Sequence, residues 1–270
     1  MPGIEFWLMG GVILAYVVDS ALLLFANEGA LTRTASGRWR ARLGAAAFTL
    51  GGRGLYLPPL GAPHQPLFRL VWTGKERVEQ EKVNADEQPQ AESAPAETQA
   101  RMAEAVDVFA RWESVADAFY PLSLPLLLIA LGLYLYLPLA LFSRLGHFAF
   151  GFALALAYGG ALHGILWVYW HRERFGLTRP RWAALALECL LCPPCALNLV
   201  RKVSVRLPAT LLPTTELVQT ASLLLEQSEL ERFHRELVPV LEETLEADAD
   251  ASKEAGLRHL RASLVAKEGM

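Results

Sequence analysis

The sequence predicts an all-α integral membrane protein with polar segments outside the bilayer. Three long apolar runs follow one another at Phe119–Phe142, Phe148–Trp170 and Trp182–Val200, and a separate run lies at Ile4–Ala26. The chain is 53% hydrophobic and only 20% charged, although two long stretches are strongly polar. This contrast is typical of membrane proteins with extramembrane parts. We therefore expect three transmembrane helices, a fourth helix that is re-entrant or spanning, a small β-like or irregular cytoplasmic element, and C-terminal amphipathic helices.

The first apolar run, Ile4–Ala26, predicts an N-terminal transmembrane anchor within residues 1–27. At 1.5 Å per residue, the run is about long enough to cross the hydrocarbon core. Its amino-terminal part carries Glu5 and no Lys or Arg, so we expect a retained anchor and not a cleaved signal peptide. Four arginines follow between Arg33 and Arg42, which places this flank in the cytoplasm by the positive-inside rule.

Residues 28–73 predict a membrane-proximal basic and β-like element. Phe48–Leu50 and Leu55–Leu57 flank a glycine turn, and Leu67–Trp72 alternates between apolar and polar residues. Residues 74–100 predict a disordered acidic linker. A segment rich in Glu, Gln, Ala and Pro cannot bury enough apolar surface to offset the entropy lost on ordering.

Residues 101–200 predict a transmembrane helical hairpin followed by a cysteine-containing helix. The turn between Phe142 and Phe148 is so short that the two spans must be antiparallel neighbours. Pro138 frees a backbone carbonyl, so we expect a kink near it. The second span has a face of small residues, which lets it approach either its own hairpin partner or another chain closely. The residues of this face are Ala153, Ala157, Gly160 and Gly164.

The third run, Trp182–Val200, is either a re-entrant helix broken at Pro193-Pro194 or a full span. A full span would export the basic residues Arg201, Lys202 and Arg206, whereas a re-entrant helix would keep them in the cytoplasm.

Residues 201–270 predict a C-terminal amphipathic helical region. One helix is expected to start near Glu216 and a second to cover Lys253–Ala266. The apolar stripe of the first helix comprises Leu217, Leu223, Leu224, Leu230, Phe233, Leu237, Val240 and Leu241. Two such helices bury little on their own, so they should dock on the rest of the chain or on a partner.

Cys189, Cys192 and Cys195 form a C-x-x-C-x-x-C motif. Three thiolates could hold a soft metal ion such as zinc, copper or iron, with Glu188 or His163 completing the coordination shell. The last two cysteines also have the spacing of a thiol-redox pair, and S-acylation is a further alternative. The competing interpretation is structural, because cysteine is commonly a small buried residue. An odd number of cysteines within one short segment predicts no disulfide framework.

Asp19, His163 and Glu188 are the ionisable residues inside apolar runs. A charge in lipid is costly, so such residues are expected to face the interior of the helix bundle and to have a partner. Contact between Asp19 and His163 is geometrically feasible, as a structural lock or as part of a proton route. Haem ligation by two histidines is disfavoured, because His147 and His163 lie on one helix roughly 24 Å apart.

The sequence contains no complete catalytic or nucleotide-binding motif, and a net charge of -3 is too small to indicate a nucleic-acid partner. We expect a non-enzymatic, multi-pass subunit or scaffold of a multi-protein assembly in a bacterial inner membrane. Its partners would be lipid and other membrane or membrane-associated subunits. One alternative is a membrane metal-binding or thiol-redox protein that uses the three cysteines. The other is a channel or transporter component that uses Asp19, His163 and Glu188.

Overall fold

The computed structural model describes residues 3–44, 48–50, 53–59, 61–71, 94–144, 146–208, 211–212 and 216–247, together with 258 and 262. The chain forms two compact units, each built from three separate stretches. The helical unit comprises Met1–Leu22, Leu57–Phe68 and Ser114–Leu211. The sheet unit comprises Leu23–Tyr56, Arg69–Glu113 and Leu212–Met270.

Two three-stranded sheets characterise the sheet unit, with strand orders β3-β2-β6 and β1-β5-β4. The strands are β1 (Leu22–Leu24), β2 (Glu28–Arg33), β3 (Trp39–Leu43), β4 (Phe48–Leu50), β5 (Arg53–Tyr56) and β6 (Leu67–Val71). The antiparallel pair β4–β5 and the strand β6 follow the β-like patterns in the sequence. In the antiparallel pair β2–β3, the turn contains Gly37, whose φ of 81° favours glycine.

The arginine-rich flank, which lies within the predicted basic and β-like element, forms the β2–β3 hairpin. Along β3, Trp39, Ala41 and Leu43 are buried while Arg40 and Arg42 are exposed. This alternation has the period of two that a half-buried strand requires. The basic residues therefore occupy the outer face of a sheet.

Among the described residues, three helices belong wholly or largely to the sheet unit: α2 (Ala94–Asp117), α9 (Leu217–Leu224) and α10 (Gln227–Ala247). Trp39 packs edge-on against Trp112 of α2 at a ring separation of 5.8 Å, and its Nε1 donates to Glu113 Oε1 over 2.6 Å. Phe233 and Leu237 of α10 are fully buried, as the apolar stripe predicts.

The expected linker lies mostly outside the described residues, which resume with α2 at Ala94. Its last part, 94–100, is helical. The second amphipathic helix predicted at Lys253–Ala266 also lies outside the described residues, apart from two isolated positions.

The helical unit contains α1 and the segments from the end of α2 to α8. Its helices are α1 (Ile4–Ser20), α3 (Ser123–Leu131), α4 (Leu137–Phe142), α5 (Gly146–Trp170), α6 (Arg179–Leu191), α7 (Pro193–Ala196) and α8 (Leu199–Val205). A 3₁₀ turn precedes α3, and a π-helical turn, Gly132–Tyr136, joins α3 to α4. Pro138 follows this turn and has no N–H to bond the preceding helical turn, which accounts for the irregularity expected there.

Glycines allow α3 and α5 to pack with their backbones nearly in contact. A Cβ at Gly160 would lie 2.6 Å from the Pro125 carbonyl oxygen, and a Cβ at Gly132 would lie 2.7 Å from that of Ala153. A Cβ at Gly164 would lie 2.7 Å from Leu199 Cδ2 of α8. The small-residue face of α5 is thus occupied by its own chain, which is the intramolecular alternative.

The segment after α5 leaves the bundle edge and returns to it. This segment forms a helical hairpin. It consists of α6, a break at Cys192-Pro193-Pro194 and the short helix α8. Near its two ends, Gly176 and Pro208 lie together, with Pro208 Cγ 2.6 Å from the position of a Gly176 Cβ. The two ends of the hairpin therefore lie close together.

Among the described residues, two helical segments are long and apolar enough to cross a membrane. These segments are Ala103–Phe142, which continues from α2 through α4, and Gly146–Trp170. The third predicted span, Ile4–Ala26, stays a prediction: its helix α1 has 17 residues, and the apolar run continues as strand β1. Short apolar runs do not distinguish helix from strand by their periodicity.

We expect alanine to have opposite effects at two adjacent glycines of α5. Gly160→Ala should lower the free energy of unfolding by about 1–3 kcal/mol, because its methyl group overlaps the Pro125 carbonyl. Gly159→Ala should be neutral or stabilising by up to about 1 kcal/mol, because its Cβ meets nothing within 4 Å and alanine favours helix. Detergent-mediated unfolding followed by circular dichroism measures both. Equal effects at the two positions would contradict the hairpin packing.

Candidate functional site

A network of charged side chains joins α1, α6 and α8 within the helical unit. Lys202 Nζ lies 2.7 Å from Asp19 Oδ1 and 2.5 Å from Glu188 Oε1. The side chains of Lys202 and Asp19 are 9% and 16% exposed, whereas that of Glu188 is 40% exposed. Arg206 Nη2 approaches Glu188 Oε2 at 3.7 Å. One ammonium group is thus shared by two carboxylates, of which Asp19 is the more shielded from solvent.

Asn198 connects this network to further polar groups. Its Nδ2 donates to Asp19 Oδ2 over 2.8 Å. Its Oδ1 accepts from Ser20 Oγ over 3.0 Å and from Arg201 Nη1 over 3.1 Å. Because Asn198 is only 1% exposed, these bonds satisfy a buried amide on both of its ends.

Arg201 links the network to the chain segment 57–68. Its Nη2 donates to the carbonyl oxygens of Pro59 and Ala62 over 2.5 and 3.1 Å. In the same segment, burial lowers the pKa of His64 below its usual value, and the positive charge of Arg201 lowers that pKa further. The neutral imidazole is therefore favoured beside the guanidinium.

Local sequence explains how these residues meet. Asn198, Arg201 and Lys202 have the i, i+3, i+4 spacing that places them on one face of a helical turn, and the Lys202 N–H donates to the Asn198 carbonyl over 2.8 Å. The break at the two prolines turns the chain so that Glu188 of α6 faces Lys202. Asp19 lies in the last turn of α1, where the helix dipole disfavours a carboxylate and a nearby cation offsets that cost.

A cavity of about 140 Å³ lies beside the network. Its polar lining comprises Asp19, Ser20, Asn198, Arg201, Lys202 and Arg206. Three of these side chains are cations and one is a carboxylate, so the positive charges predominate.

The cysteine cluster contains one disulfide-bonded pair and one free thiol. Cys192 and Cys195 form a disulfide with a Cα–Cα distance of 5.2 Å, and Cys189 is a free, fully buried thiol. This single bond between residues three positions apart is not a disulfide framework, and it joins the two cysteines that have the spacing of a thiol-redox pair. Within the described part of the chain, no group of three His, Cys, Asp or Glu residues is close enough to hold a metal ion. The soft-metal site at the three cysteines stays a prediction.

Of the three ionisable residues that the sequence singles out, Asp19 and Glu188 meet at Lys202, whereas His163 is exposed on α5. Asp19 binds Lys202 and Asn198, whereas the buried face of α5 carries Gly160 and Gly164, so the Asp19–His163 contact that the sequence made feasible is not formed among the described residues. Sequence reasoning missed Lys202 as the partner, because it used the cations after Val200 only to assign topology. The helical spacing of Asn198 and Lys202 was the signal that could have found it.

Comparisons with protein-family models, with curated proteins and with solved structures found no match.

Removing the shared ammonium should cost more stability than removing one of its partners. We expect Lys202→Met to lower the free energy of unfolding by about 3 kcal/mol, because it leaves the shielded Asp19 carboxylate without its cation. Glu188→Gln should cost less than about 1 kcal/mol, since solvent screens this half-exposed group. Asp107→Asn, which breaks an exposed pair with Arg111, is the matched surface control. A Lys202→Met variant as stable as this control would contradict the importance of the network.

Proposed function

We propose that this chain is a multi-pass inner-membrane protein that serves as a non-enzymatic subunit of a larger assembly. Large apolar side chains on its helices support a membrane location: Phe148 is 91% exposed, Ile4 80% and Tyr120 79%. Water does not favour so many exposed large apolar side chains, whereas lipid or a partner covers them. In this proposal α1 is a short third membrane helix, the α6–α8 hairpin is re-entrant, and the basic flanks face the cytoplasm.

The observation that carries the assembly role is a second stripe on α5, which we call the outer stripe. It comprises Gly151, Ala155, Gly159 and His163, which recur at every fourth position and are all exposed. A Cβ at Gly151 or Gly159 would meet nothing within 4 Å. The small-residue face around Gly160 is occupied within the hairpin, but the outer stripe is not.

The outer stripe combines two properties that favour a transmembrane helix as its partner. Its small residues permit close backbone approach, which is a major source of helix association in lipid. His163 adds a polar imidazole to the outer stripe, and a polar side chain facing lipid is costly unless another polar group meets it. We infer that the partner is a membrane helix of another subunit, with a hydrogen-bonding side chain opposite His163.

Photo-crosslinking in native membranes tests this proposal. A photoreactive residue at Ala155 should give an adduct of defined mass, whereas one at the exposed Leu127 of α3 should give mainly lipid adducts. Gly159→Leu should reduce the Ala155 adduct at least tenfold by blocking close approach. Gly10→Leu is the matched control, because Gly10 on α1 is equally open. An adduct that survives Gly159→Leu, or no protein adduct at Ala155, would sink the assembly role of the outer stripe.

The Cys192–Cys195 disulfide favours a second candidate function, that of a membrane thiol-redox protein. Both cysteines are only partly buried, so a thiolate from another protein can reach the bond. On reduction, the Cys192–Cys195 disulfide would accept two electrons and two protons from a dithiol. The S–S bond would break and leave two thiols, while the dithiol would become a disulfide. The channel or transporter alternative draws less support, because Lys202 compensates Asp19 and Glu188 and His163 lies apart from them.

Thiol labelling of the purified protein separates a redox role from a structural disulfide. For a redox protein we expect reversible reduction at potentials that cellular dithiols reach, with two maleimides added per chain on reduction. Cys189→Ser should leave this titration unchanged, because Cys189 lies outside the disulfide. A disulfide that stays oxidised in strongly reducing glutathione buffer would leave only the structural role.

A further inference from the structure

We propose that the cavity beside Lys202 is a binding site for a phosphate group. Its volume of about 140 Å³ is well above the roughly 10–15 Å³ that one water molecule requires, so it has room for a tetrahedral oxyanion. The site is lined by α1, the segment 57–68 and α8, all parts of the helical unit. It is separate from the outer stripe and independent of the assembly role.

Charge selects an anion. Arg201, Lys202 and Arg206 line the cavity together with one carboxylate, Asp19. Glu188 adds a second negative charge from outside the lining. These five groups sum to +1, which a phosphodiester or a monoanionic phosphate brings to zero. A metal cation would instead add charge to a positive site in a poorly solvated region.

Lys202 and Arg206 have N–H donors that a bound phosphate can use. An ammonium group has three N–H donors, and those of Lys202 that point to Asp19 and Glu188 account for two of them. The third is left for a ligand in the cavity that Lys202 lines. Arg206 lies 3.7 Å from Glu188, too far for a hydrogen bond, and its side chain is 43% exposed. Its planar guanidinium can therefore turn to a phosphate with two parallel N–H donors.

The phosphate could belong to an anionic phospholipid or be free in solution. Lipid headgroups bind to basic pockets between membrane helices on the cytoplasmic side. The cavity has that composition and lies where α1 ends, at Ser20–Leu22. Inorganic phosphate presents the same oxygen atoms without the acyl chains, so the two sources are separable by experiment.

Thermal unfolding of the full-length, delipidated protein in neutral detergent tests the site in two arms. In the first, inorganic phosphate is titrated against chloride at constant ionic strength. In the second, the protein is placed in nanodiscs of phosphatidylcholine alone or with phosphatidylglycerol. Arg206→Gln should weaken the stabilising ligand about tenfold, since it removes the bidentate donor. Arg181→Gln removes the same charge from an exposed position outside the cavity and should leave the affinity unchanged.

Each result decides the proposal. A saturable rise in Tm with inorganic phosphate that Arg206→Gln weakens supports the site with a soluble source. A rise that requires phosphatidylglycerol and is weakened in the same way supports a lipid source. No rise in either arm, or an equal response of Arg206→Gln and Arg181→Gln, would overturn the phosphate site. Matching Tm values of the two variants without ligand establish that Arg206→Gln is folded.

Discussion

The ion pairs that Lys202 forms with Asp19 and Glu188 are the interaction on which the helical unit depends. Asp19 is shielded from water at the end of α1, where its negative charge is disfavoured both by burial and by the helix dipole. Lys202 offsets that cost and at the same time binds Glu188 of α6. Because the Lys202 side chain is itself only 9% exposed, water cannot readily take the place of either partner in the Lys202–Asp19 ion pair. The network therefore specifies which turn of α8 lies beside α1 and α6.

Helix packing in this unit depends on the positions of the glycines along α5, where the absence of a side chain permits close approach. Gly160 packs against α3 and Gly164 against α8, so close approach at Gly160 forms the α3–α5 hairpin. Gly159 is the next residue along the chain and faces open space. A helix turns about 100° per residue, so neighbouring glycines serve different faces. One helix can thereby complete its own fold and still present a second surface to a partner.

In the sheet unit, arginines of the basic flank between Arg33 and Arg42 form ion pairs with helices. Arg33 pairs with Glu113 of α2, and Arg42 Nη1 lies 3.1 Å from Glu236 Oε1 of α10. These arginines therefore hold helices against a sheet, in addition to any attraction that they have for lipid headgroups. The amphipathic helix α10, which cannot bury its apolar stripe alone, packs on β3 and so completes the unit.

The sequence by itself determined the properties that depend on local composition and periodicity. It determined the apolar hairpin, the β4–β5 pair, the amphipathic stripe of α10, and the need of Asp19 and Glu188 for a partner. Only the tertiary structure decided that the partner is Lys202, that Gly176 and Pro208 meet on either side of the Trp182–Val200 run, and that α1 ends at Ser20. Those outcomes depend on contacts between residues far apart in the chain. Hydrophobic periodicity reports which residues avoid water but not which distant group will face them.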